Sequence, residues 1–197
     1  LSTKLDLNAR LFKDRYLTLL ASYSYFDRIK NTFFVDLTTL EKTLTANTYD
    51  QDTSSFDQYL VRAEFSKSTS TSPFNYQLGV DLNYENGFGK RMLNKAQSIG
   101  DYAAFLSLKL QPGARMILQP GLRYGINTNY KAPIVYSLNV KYDPMESLSI
   151  RSSFAKGFRA PSLKELYLEF VDVNHNIRGN ENLEAENSHN VNIALKY

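Results

Sequence analysis

Apolar residues recur at every second position over most of this chain, in runs of about ten. In "PIVYSLNVKY", Ile134, Tyr136, Leu138, Val140 and Tyr142 fall on one face of an extended strand, and Val135, Ser137, Asn139 and Lys141 on the other. The same period runs through Phe74, Tyr76, Leu78, Val80, Leu82 and Tyr84, whose alternates are Asn75, Gln77, Gly79, Asp81, Asn83 and Glu85. It returns at Tyr102 to Leu110, Met116 to Tyr124, Leu148 to Phe154 and Val191 to Tyr197, and more loosely at Leu5 to Leu11, Leu17 to Tyr25 and Tyr59 to Phe65. A period of two cannot bury one stripe of a helix, so these runs predict about nine strands.

The connectors between them take turns, short then long. "KDR", "SKSTSTSP", "QPGA" and "DPMES" alternate with links over about 27–56, 86–100, "NTNYK" and 157–187. Up-and-down strands with tight turns at one end and long loops at the other describe an outer-membrane barrel. A soluble sandwich also alternates, but its strands run about five or six residues. Here Phe74, Tyr76, Tyr84, Tyr102, Tyr124 and Tyr142 stand near strand ends, where an interfacial aromatic girdle belongs. The pattern therefore predicts an all-β fold, an antiparallel up-and-down transmembrane β-barrel segment. Pro120 interrupts "MILQPGLRY" and predicts a bulge or local bend, because it has no N–H for the ladder.

Composition removes several other classes. With no Cys there is neither a disulfide framework nor a thiolate metal site. A net charge of +3 with scattered Lys and Arg offers no basic track, so no nucleic-acid partner is expected. There is no Gly-x-Ser-x-Gly, His-Glu-x-x-His or phosphate loop. The two histidines are His175, in the last long loop, and His189, whose parity puts it on the apolar face. Asp50, Asp52 and Asp57 lack EF-hand spacing and read as a solvated loop.

Two stretches break the alternation: "GFRAPSLKELYLEF" at 157–170 and "GNENLEAE" at 179–186. Ser162 followed by Glu165, directly after Pro161, is a capping-box pattern that predicts a helical turn over about 163–168. Parity from Phe154 puts Phe158 on the apolar face and Arg159 on the polar one. A guanidinium there suits carboxylate, phosphate or catecholate oxygens. The alternative, an Arg paired with an acidic neighbour, follows from the cost of an unpartnered charge.

The intact "GFRAPSLKELY" and the altered "GNENLEAE" together resemble paired blocks of the TonB-dependent outer-membrane receptors, with Glu181 and Ala185 where that family carries prolines. The resemblance implies energy-coupled import across the outer membrane of a Gram-negative bacterium, through a plug inside a 22-stranded barrel. Residues 1–197 are then part of one barrel domain, about nine strands of it, with the plug and the C-terminal strands outside this stretch. An isolated piece of this kind is expected to form an open curved sheet or to pair edges between copies. The implied partners are outer-membrane lipid, TonB through the plug, and an iron–siderophore, haem or cobalamin ligand. No cofactor is required, and haem enters only as a transported ligand. Ligand-binding candidates are Arg159, His175 and Arg178 in the long loops, with His175 at the interval where haem importers in this family place an axial ligand. The competing readings are an outer-membrane barrel hydrolase, which needs a nucleophile and base near the rim, and a passive porin.

Overall fold

The computed structural model describes residues 1–47, 50–171 and 175–197. Nine long strands form one antiparallel sheet in strict sequence order, interrupted only by excursions that pair among themselves. The long strands are β1 (Ser2–Phe12), β2 (Arg15–Lys30), β5 (Asp52–Lys67), β6 (Phe74–Gly89), β7 (Ala96–Gly113), β8 (Met116–Asn127), β9 (Val135–Met145), β10 (Leu148–Arg159) and β13 (Glu186–Lys196). Between β2 and β5 stands a hairpin, β3 (Phe33–Val35) with β4 (Lys42–Leu44). Between β10 and β13 come α1 (Leu163–Tyr167) and a second hairpin, β11 (Glu169–Val171) with β12 (Asn176–Arg178). β1 and β13 end the strand order, so the sheet is open, as expected of a barrel segment.

Register turns alternation into two faces. Ala9, Leu17, Phe65, Leu78, Leu106, Leu122 and Tyr136 are successive partners across β1, β2 and β5 to β9, one unbroken apolar row. Shifting any strand by one residue would bring its polar set into this row, which is why the register is well specified. No protein layer covers the row among the described residues: Leu78, Leu106, Leu122 and Tyr136 are all exposed. That excludes a sandwich, whose apolar face must be covered. No helix among the described residues is long and apolar enough to cross a membrane.

Aromatic rings edge the apolar face. Tyr23, Tyr59 and Tyr84 are successive cross-strand partners, with the Tyr23 and Tyr59 rings 4.9 Å apart. At the other end of β6, Phe74 and Tyr76 lie 5.9 Å apart. From Phe74 to Tyr84 the strand runs about 33 Å at ~3.3 Å per residue. Tilted by ~40°, that distance is about 25 Å in height, matching the apolar band of outer-membrane barrels.

The opposite face is polar, and its charges are paired. Asp81 accepts from Arg62 Nε at 2.5 Å and also pairs with Arg123, which reaches it across β7. Ala103, Asp81's partner on β7, is small and buried, leaving room for the guanidinium to pass. Gly79 lies beneath the Phe105 ring, where any Cβ would collide with the ring and with the Ala63 carbonyl.

Three expectations need correction. Pro120 causes no bulge: pairing to β7 lapses at Leu108 and Lys109 but resumes at Leu110↔Leu118 in the same register, and the shift comes later, between Leu110 and Gly113. One forgone ladder bond is evidently cheaper than re-registering the whole strand. The link over 86–100 is mostly ladder, because β6 and β7 pair as far as Phe88↔Ala96, leaving only 90–95 as loop. Asp52 is not solvated. It is buried at the start of β5, with Arg91 Nε at 3.7 Å and the Ser54 hydroxyl donating to it at 2.8 Å.

Candidate functional site

The buried apolar cluster of the chain lies on the polar face, at the long-loop end. It comprises Met92, Ile99, Leu163, Leu166 and Tyr167. α1 supplies three of these, and its local sequence explains why a helix forms there. Ser162 Oγ accepts from the Glu165 N–H at 3.3 Å, and a Glu165 carboxylate oxygen accepts from the Ser162 N–H at 2.8 Å, the complete capping box. The helix ends at Tyr167, one residue short of the expectation. Leu163 seats against Gly87, where an added Cβ would lie 2.7 Å from Leu163 Cδ2 and 3.0 Å from the Phe56 ring.

The second motif is the other half of the same assembly. The Gly179 N–H donates to the Leu168 carbonyl at 2.6 Å, and the Asn180 N–H to the Glu165 carbonyl at 2.9 Å. Asn180 also organises its own turn, its side-chain oxygen accepting from the Asn182 N–H at 3.0 Å. The loop between β10 and β13 is thus folded onto the polar face and pinned at both of its distinctive sequences.

Arg159 stands at the end of β10 on the polar face, opposite Glu186 in register. Its guanidinium donates to Glu186 at 3.0 Å and pairs with Glu165, so the acidic-neighbour alternative describes its position. Both pairs are exposed, so solvent screening leaves them little weight in stability. Their effect is geometric, joining strand, helix and the start of β13. His175 and Arg178 lie apart from this group on the β11–β12 hairpin, where Arg178 pairs in register with Glu169. The His175 ring sits 4.8 Å from Phe170.

Phe170 is the residue that sequence reading missed. Arg91 lies 4.0 Å over its ring, Lys30 5.8 Å, and His175 flanks it, so the end of β2, the 90–95 loop and the β11–β12 hairpin meet on one aromatic. Its only signal was an apolar residue where alternation had already stopped. Beneath Pro161 to Leu163 the polar face also forms a recess of about 170 Å³ lined by Asn83, Glu85, Asp101, Asn127 and Tyr130. The Tyr130 hydroxyl is buried without a hydrogen-bond partner, and burial, then the Asp101 charge, pushes it up to about 12. No group of three His, Asp or Glu side chains stands close enough to hold a metal ion among the described residues.

Hydrogen bonds from the Ser162 backbone, then from Arg159, hold the Glu165 carboxyl down to about 2. A lowered folded-state value stabilises the loop above the ordinary carboxylate range, and that contribution is lost as pH falls toward 2. Protection factors of the 160–170 amides, with exchange corrected for its intrinsic pH dependence, should therefore be unchanged between pH 7 and pH 5 and fall below about pH 4, near the free carboxyl value. Glu165→Gln should remove that step, and an identical pH profile in the variant would exclude Glu165 as its cause.

The whole chain, residues 1–197, matches the β-barrel of the TonB-dependent receptor-like family. The chain belongs to the TonB-dependent receptors. A haemoglobin and haemoglobin–haptoglobin-binding protein of Haemophilus ducreyi is 40% identical over 60 residues, 30% of this chain and 6% of that protein. The protein of Haemophilus influenzae named "Probable hemoglobin and hemoglobin-haptoglobin-binding protein 4" is 37% identical over 62 residues, 32% of this chain and 6% of its own length. Among solved structures, the ferric enterobactin receptor PfeA superposes with a TM-score of 0.71 at 15% identity, covering 100% of this chain and 32% of that one. The siderophore receptor PirA of Pseudomonas aeruginosa gives 0.65 at 17% identity, covering 98% and 41%. At those identities the superpositions show a shared barrel fold. This receptor chain spans about a third of the solved receptors it matches and a small part of its curated relatives.

Proposed function

We propose that this barrel segment belongs to an outer-membrane receptor that imports an iron chelate, ferric siderophore or haem, by TonB-coupled transport. On this reading the protein binds and translocates without making or breaking bonds in its cargo. The observation that carries it is the loop of 160–185 folded onto the polar face, because it places a roofed polar recess and an aromatic–cation cluster above the lumen wall. A passive porin has no need of such a roof. The apolar rows face lipid, and the plug and remaining strands belong to the complete chain. Cobalamin or another nutrient is the alternative cargo.

Local identity to proteins named for binding haemoglobin favours haem over siderophore. The test is radio-iron uptake by cells expressing the full-length receptor as their sole importer. Uptake from haemin should vanish when TonB is deleted, and uptake that persists without TonB would sink the transport reading. For His175 as an iron ligand, haemin added to the purified receptor should give a Soret band that shifts in His175→Ala. A band identical in both proteins removes His175 from the coordination sphere.

A further inference from the structure

A basic pair stands on the apolar face at its long-loop edge. Lys156 on β10 and His189 on β13 are register partners. Lys156 lies two residues beyond Phe154, so both side chains share the face of the apolar row. The His189 ring lies 6.1 Å from Phe154 at an interplanar angle of 5°, and Phe154 lies 5.9 Å from Tyr136. The Tyr136 hydroxyl stands 3.5 Å from His189 Nε2. Aromatic rings on the lipid side of a membrane protein mark the headgroup level. The pair therefore sits where acyl chains give way to headgroups.

No protein anion answers this charge. The outward positions around Lys156 are Tyr136 and Leu138 on β9, Phe154 and Phe158 on β10, and Asn187 and Val191 on β13, without a carboxylate among them. Lys156 makes no hydrogen bond or ion pair among the described residues. Glu165 and Glu186, which engage Arg159, belong to the polar face and lie behind the sheet. β13 ends the described sheet, so a further strand of the complete barrel flanks His189, whereas Lys156 already has both adjoining strands in place. The contrast with the polar face is direct, since there Asp81 holds two arginines and Asp143 holds Lys141. A cation kept among rings without a protein partner is met from the lipid side.

The chemistry of the pair selects the lipid group. An ammonium is a compact charge with three donors, suited to a phosphate as a point contact. A His189 tautomer that accepts from Tyr136 at Nε2 carries its proton on Nδ1, a second donor beside the first. Long loops of outer-membrane barrels are extracellular, so this edge lies in the outer leaflet. The lipid of that leaflet is a glycolipid whose diglucosamine headgroup carries phosphates. We infer that Lys156 and His189 form a binding site for a headgroup phosphate of this glycolipid, with its acyl chains lying down the exposed apolar row past Leu138. The inference rests on the outer-membrane placement in the transport reading above.

The test is native mass spectrometry of the purified full-length receptor with lipid A, the phosphorylated diglucosamine anchor, with lipid A stripped of its phosphates, and with phosphatidylglycerol. Wild type should retain lipid A in preference to both. Lys156→Gln should lower that retention about fivefold, the worth of one basic side chain at an anionic lipid surface, and Lys156→Arg should keep it. Lys109→Gln removes a lysine from the polar face, two positions past Ser107 on β7, and should change nothing. Heat-modifiable migration should be the same in all of them. Equal retention by wild type and Lys156→Gln overturns the inference, as does an equal loss in Lys109→Gln, which marks bulk charge. Retention of the phosphate-free form or of phosphatidylglycerol as strong as that of lipid A overturns the choice of ligand. A Lys156→Gln protein that loses heat-modifiable migration also overturns it, because the lysine then serves the barrel itself. A wild-type receptor that inserts in the outer membrane but shows no preference for lipid A overturns this inference alone. One that never reaches that membrane overturns the transport reading with it.

Discussion

Leu163→Asp in the full-length receptor should release the loop of 160–185 from the lumen wall while leaving the barrel folded. Leu163 is fully buried at 0% exposure, and it fills the space that Gly87 leaves open beside Phe56 and Met92. Truncating such a leucine to Ala costs about 2–5 kcal/mol. A carboxylate there adds the cost of burying an unpaired charge, so the helix undocks instead of tolerating it. Ile99 and Gly87 belong to barrel ladders, and the backbone hydrogen bonds of those ladders do not depend on α1. Limited proteolysis should cut within 160–185 at least about tenfold faster, since one decade corresponds to ~1.4 kcal/mol of local stability. Heat-modifiable migration of the barrel on gels should be unchanged. Wild-type resistance to cleavage in the variant would show that α1 is held by something other than its apolar seat.

Gly179→Ala is the second large effect, and it acts on the same loop from the other motif. A Cβ at Gly179 would stand 2.5 Å from both the carbonyl carbon and oxygen of Leu166 and 2.6 Å from the Tyr167 nitrogen. Those are backbone atoms, so no rotamer change makes room. The chain must move away from α1, losing the Gly179 and Asn180 donations that tie the two motifs together. Overpacking of this kind costs about 1–3 kcal/mol, and the lost hydrogen bonds add about 1 kcal/mol each. Exchange protection of the Gly179 and Asn180 amides should collapse. Gly113→Ala is the control, because a Cβ there meets nothing within 4 Å, and its effect should stay within about 0.5 kcal/mol. Equal effects at the two glycines would refute the close-approach argument.

The strands were legible because a period of two records which face is apolar, and register follows once each face must stay in one row. The capping box was legible for a similar reason: Ser162 and Glu165 satisfy each other over three residues, with no help from the fold. The structure also accounts for Arg159, whose carboxylate partners lie 6 and 27 positions away. What sequence could not show is where the excursions land. Residues 160–171 carry Leu163, Leu166 and Tyr167 at helical spacing, which marks a buried face, but nothing in that spacing says that the receiving surface is Gly87, Met92 and Ile99 on the polar side of the sheet. Arg91, in the 90–95 loop, meets both Phe170 on β11 and Asp52 at the start of β5, so no short window contains their relation. His175 and Arg178 stand together on the β11–β12 hairpin, a pairing that no short-range pattern announces.

The uncovered apolar row also changes how substitutions on this molecule are to be read. When lipid is the solvent of that face, shortening Leu78 or Leu106 leaves no void, since acyl chains flow into the space. The loss is then the transfer contribution alone, about 0.8 kcal/mol per methylene. Shortening Leu163 or Leu166 on the opposite face leaves a cavity bounded by backbone that cannot follow, and the same leucine becomes several times more costly to remove. One sheet thus carries two scales of sensitivity, fluid on one side and solid on the other. A mutational map of the chain should show the fluid scale along the apolar row and the solid scale only where α1 seats, at Leu163, Leu166 and Ile99.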